Sequence, residues 1–176
     1  MTKTSKACFS FLKGQALRLF FVSSCDTSEK ERQKSYCVGF SCLLIWLLPW
    51  AYLYWAMKEV TVWDYLVYGL LGISSFSGDY LFVDTKVYPV ISQHVVFVDN
   101  WVVFSSVLFN VGKFVYYGRF PDARTILCLV LVVLALSCLH LSRHASSQKR
   151  WVCFHTLWHL FAIGIALSVL EVQRVA

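Results

Sequence analysis

Charge is what this chain has least of. Asp, Glu, Lys and Arg make up 15% of its 176 residues, where a soluble domain carries about a quarter. The few charges are clustered, and the apolar runs between them are too long for a soluble core. The seven cysteines form no CxxC and no zinc-ribbon spacing. Their odd number argues against a complete disulfide framework, and within apolar spans a thiol packs as a small hydrophobe. The sequence also lacks internal repeats and low-complexity tracts. A secretory signal would place its charges before an apolar core. Here the N-terminal apolar stretch 7–22 carries Lys13 and Arg18 inside it.

What is present is hydrocarbon. The chain is 58% hydrophobic and 17% aromatic, with a mean hydropathy of +0.60. A bilayer core takes roughly 20 apolar residues per helix, and five segments approach that length: 37–57, 60–83, 95–118, 125–141 and 151–170. The expected fold is all-α, a polytopic transmembrane helix bundle of about five spans. Short loops make successive helices antiparallel neighbours. Residues 1–36 are expected to form a helix lying in the membrane surface over 7–22, followed by a polar linker; residues 37–176 form the transmembrane domain. Trp46, Trp50, Trp55, Trp63, Trp101 and Trp151 fall towards span ends, as an aromatic belt requires. The fourth span has no polar stripe before its end. It is therefore expected to be the most lipid-facing of the last four, with Val132 in contact with lipid.

Orientation follows from the basic residues. With five spans, the side holding the N-terminus has eleven Lys and Arg and the other side five, which makes the N-terminal side cytosolic. The net charge of +6 suits an anionic cytosolic leaflet and needs no nucleic-acid partner. The expected location is a multi-pass membrane protein of the endomembrane system (ER or Golgi) or the plasma membrane.

The same topology collects all five histidines at the N-terminal face. His155 and His159 share one side of the last helix, four residues apart. His140 and His144 have the same spacing but end the fourth span, where water can satisfy them. His94 stands just before the third span. Asp79, Asp84 and Asp99 join them, with Ser75 one turn before Asp79. An ionisable group inside a span is costly unless it has a partner or a function. Imidazole and carboxylate are both zinc ligands, and a catalytic zinc keeps one position open for water.

FHTLWHLFAIG (154–164) resembles the last-helix motif of the CREST superfamily of membrane hydrolases, which includes alkaline ceramidases and the progestin and adiponectin-receptor-like proteins. That group carries HxxxH in its final helix, SxxxH in an early helix and an Asp in the next. The resemblance implies that His155 and His159 hold zinc, that Ser75 donates to an oxyanion, and that Asp99 is a general base or orients water. It breaks at Asp79, which stands where the family has a histidine. Asp79 or His94 then supplies the third ligand, or the metal has been lost. The resemblance also implies more spans, usually seven. Two functions are therefore expected to compete: a zinc-dependent hydrolase of a lipid amide or ester, and a non-catalytic membrane protein that binds lipid or scaffolds partners.

Overall fold

Helix α1 (Tyr36–Ala56) buries Val38, Cys42, Ile45, Pro49 and Leu53, a recurrence of three or four that marks one face of a helix. The computed structural model describes residues 32–57, 60–84, 87–117 and 123–175. After α1 come α2 (Val62–Phe76), a π-helical turn (Ser77–Leu81), α3 (Pro89–Tyr117), α4 (Ala123–Arg143) and α5 (Gln148–Val175). The fold is an all-α bundle with no strand among the described residues. The surface helix expected over 7–22 lies outside them, as does the linker up to residue 31.

By length and composition, α1, α3, α4 and α5 are long and apolar enough to cross a membrane. Helix α2 is shorter than expected: its 15 residues rise about 22 Å, against a hydrocarbon core of about 30 Å. The π turn continues it without a break.

Helix α5 is the hub, packing against α4, α1 and α3. Its buried stripe runs Trp151, His155, His159, Ile163, Ala166 and Leu170, so the two histidines occupy core positions. Helix α1 packs on α2, and α2 on α3. The α1–α2 contact is close because Gly72 has no side chain. A Cβ there would stand 2.4 Å from Cβ and 3.1 Å from Cα of Trp46.

The fourth span is not the most exposed. Helix α3 buries a smaller share of its residues than α4, because it turns one polar stripe inward (Ser106 and Asn110 are buried) and leaves its Val- and Phe-rich faces outside. Val132 of α4 lines an internal cavity rather than facing lipid only.

The end of the bundle away from the histidines is tied by charge. The Thr61 backbone N–H and hydroxyl both donate to Asp64 Oδ2, at 2.9 and 2.8 Å, which closes the start of α2 as a capping box does. Lys113 of α3 pairs with the fully buried Asp64 and donates to Gln173 Oε1 of α5 at 2.7 Å. One ammonium thus links three helices.

Candidate metal centre

The π turn sets the position of Asp79. An α-helix advances roughly 100° per residue, and a π turn accommodates one residue more than an α turn. Here that wide turn lies against both α1 and α3 and brings the Asp79 carboxylate to α5. His155 Nε2 is 3.0 Å from Asp79 Oδ2 and His159 Nε2 is 3.3 Å from the same oxygen. His155 and His159 are 7% and 1% exposed.

The other nitrogen of each ring is held by a serine. His159 Nδ1 lies 2.8 Å from Ser41 Oγ of α1. That hydroxyl donates its proton to the Val38 carbonyl at 2.8 Å, so it accepts from His159. The proton therefore sits on Nδ1, and Nε2 presents a lone pair. His155 Nδ1 lies 3.0 Å from Ser142 Oγ at the end of α4. Such partners fix the orientation and basicity of a ligating imidazole.

The Nε2 atoms of both rings are buried and make no hydrogen bond of acceptable geometry, although each is within ion-pair distance of Asp79. The His159 lone pair facing a carboxylate oxygen is repelled by it unless a proton or a metal cation stands between them. Zinc binds nitrogen and carboxylate oxygen at about 2.0–2.2 Å, which at a tetrahedral angle separates two ligand atoms by about 3.3 Å. The distance of each ring nitrogen from Asp79 Oδ2 is that of two ligand atoms on one ion. Among the described residues, Cys42, Asp79 and His159 bring their ligand atoms close enough together to hold a metal, and His155 stands beside them at Asp79.

Cys42 is a fourth neighbour that sequence reasoning passed over as a small hydrophobe. Its Sγ lies 3.7 Å from His159 Nδ1. Ligand atoms of Cys42, Asp79 and His159 all lie within 4.8 Å of one another. Ser41, Ser142 and Ser74 were missed as well. A serine in an apolar helix is an unremarkable residue until helix rotation shows what it faces.

Asp99 and Ser75 come together. Ser74 and Ser75 donate to Asp99 Oδ1 at 2.8 and 3.0 Å, so the Ser75 hydroxyl is engaged by the aspartate. Gly78 of the π turn packs against Asp99: a Cβ there would lie 3.5 Å from Asp99 Cβ. His94 is exposed near the start of α3 and is not brought to this cluster. His140 and His144 are exposed, with ring centroids 4.5 Å apart, and pair with each other.

Ser75 also reaches a cavity of about 280 Å³, whose walls include Val107, Val111, Val132, Leu136 and Trp158, with Ser106 and Asn110 as its other polar groups. This is close to the lower size of small-molecule pockets, roughly 300 Å³. No protein family, curated protein or solved structure matches this chain.

Proposed function

We propose that this chain is an integral membrane hydrolase that holds zinc on His155, His159 and Asp79 and cleaves a lipid amide or ester. The observation that carries the reading is the convergence of two orphaned ring nitrogens on one carboxylate oxygen. The apolar cavity beside Ser75 supports a lipid as the substrate. Zinc in that position supplies a Lewis acid and lowers the pKa of water towards neutrality.

The protein's own groups do the rest. Ser41 and Ser142 hold the imidazoles in place. Asp99 receives both serine hydroxyls on Oδ1, which leaves Oδ2 to take a proton as general base. Ser75 releases its bond to Asp99 to donate to a developing oxyanion. Burial of His155 and His159 among the helices strengthens their electrostatic interactions.

The second reading is a lipid-binding or scaffolding protein without turnover. Asp79 in the place of the family histidine favours it, as does the engaged Ser75 hydroxyl. Under either reading we place the protein in the membrane of the endomembrane system or cell surface as a multi-pass chain, with its N-terminus cytosolic.

Protein purified without chelators, analysed for metals and incubated with labelled lipid amides and esters, separates the two. The hydrolase gives one zinc per chain and fatty-acid release that His155→Ala abolishes. Absence of stoichiometric metal removes the hydrolase and leaves the lipid-binding reading.

A further inference from the structure

The histidine end of the bundle carries positive charge that no contact among the described residues neutralises. Helix α5 opens Gln148-Lys149-Arg150 with no acidic residue in its first turn. A helix N-terminus is the positive end of the macrodipole, so cations there are misplaced unless an anion joins them. The Arg32 guanidinium stacks 5.5 Å over the Trp151 ring of that same helix. Arg143, the last residue of α4, follows Ser142, whose Oγ lies 3.0 Å from Nδ1 of His155, the ring stacked 5.1 Å from Trp151.

Among the described residues neither arginine forms an ion pair. The negative charge that Arg32 feels is Asp79, whose carboxylate two histidines already share. Burial lowers the Arg32 guanidinium from its ordinary value, and Asp79 only opposes this. Beneath Arg32, Trp151 is 3% exposed, and its Nε1–H has no acceptor. Two contacts fasten the segment there: Gln148 Nε2 donates to the Gln33 carbonyl at 2.7 Å, and Lys34 stands 6.0 Å over Tyr80.

Guanidiniums without an ion pair among the described residues, an orphaned indole N–H and a helix N-terminus capped only by the Ser147 hydroxyl are what a phosphate group takes as partners. We propose that Arg32, Arg143 and the first turn of α5 form a phosphate-binding site at the mouth of the bundle. The site stands independently of the hydrolase reading, since it binds whether or not the metal centre turns over. It fits the phosphate of a lipid headgroup or free phosphate, which share the same recognising chemistry.

The test uses the full chain in neutral detergent micelles doped with phosphatidic acid or with diacylglycerol, which has the same acyl chains and no phosphate. Wild-type protein should bind phosphatidic acid at least about tenfold more tightly than diacylglycerol. Arg32→Gln together with Arg143→Gln should remove most of that difference, while Arg174→Gln, at the opposite end and paired with Glu171, should leave it intact. Should the double variant fail to elute as folded protein, Lys149→Gln with Arg150→Gln, both exposed, tests the same site and should weaken phosphatidic acid severalfold. Competition by millimolar inorganic phosphate identifies free phosphate as a ligand, and lack of competition identifies the lipid headgroup. Equal binding of the two lipids, or equal loss with Arg174→Gln, overturns the proposal.

Discussion

A buried histidine has two ring nitrogens to satisfy, and His155 and His159 each satisfy one with a serine. The other nitrogen of each ring is what makes the cluster testable one residue at a time. His155→Ala, His159→Ala and Asp79→Ala should each cut bound zinc to below about a tenth of one equivalent, since two ligands do not hold the ion firmly. His140→Ala and His144→Ala, with exposed rings, should leave metal content unchanged. Asp79→His, which puts an imidazole in place of the carboxylate, should keep the metal that Asp79→Ala loses. Ser41→Ala should weaken zinc affinity by roughly 10–100-fold, as loss of such an outer partner does. Ser41→Thr should recover it where mere loss of packing would not. Competition with a zinc chelator measures all of these. The His155, His159 and Asp79 cluster was legible in the sequence as an i, i+4 pair of histidines in an apolar run, with acids expected at the same end of the bundle. Ser41 and Cys42 were not legible, because their roles depend on how α1 is rotated about its axis. His94 was placed on the wrong side of the same uncertainty, since a residue near a loop has no fixed direction.

At the level of helices, the α1–α2 seam and the Lys113–Asp64 link carry separate predictions. Gly72→Ala forces a Cβ against Cβ and Cα of Trp46, atoms that cannot rotate away, so the two helices must separate. The expected loss is about 1–3 kcal/mol, read as a lower midpoint of unfolding in detergent. Gly112→Ala, with nothing near its side-chain position, is the matched control. Lys113→Met leaves the Asp64 carboxylate buried without its cation and should cost about 3–5 kcal/mol. Combining it with Asp64→Asn, which keeps an acceptor for Thr61, should recover part of that loss in a double-mutant cycle. Hydropathy located the helices well: spans expected at 37–57 and 125–141 are α1 over 36–56 and α4 over 123–143. Helices α3 and α5 begin several residues earlier than the apolar runs suggest, because hydropathy marks the hydrocarbon slab and a helix continues past it into the interface. The π turn left no mark in composition, since Ser-Gly-Asp-Tyr-Leu suits several backbone conformations.

For the whole molecule, helix order and charge asymmetry give a topology that labelling can check. Glycosylation sites inserted at 120–123 should be modified and those at 145–147 should not. Modification at 145–147 alone would invert the molecule, and modification at both would end the five-span arrangement. The placement of α5 at the centre follows from its polar core stripe, because a helix that carries two imidazoles among Trp151, Ile163 and Leu170 must meet partners on several sides. The expectation for α4 failed for a related reason: an apolar helix can line a cavity as readily as it can face lipid. Phase, more than side-chain identity, determines where the carboxylate of Asp79 stands. Helix α2 enters the wide turn in one angular register and leaves it in another, so the chemistry at the histidines is encoded partly in the number of residues between Thr61 and Asp79. Removing Gly78 would let the segment close into a regular helix and swing Asp79 by roughly 100°, keeping every ligand in the sequence while dispersing the set in space. In a lineage of such chains, a single-codon deletion here would silence the centre more completely than many substitutions, and a single-codon insertion in a straight helix could create one.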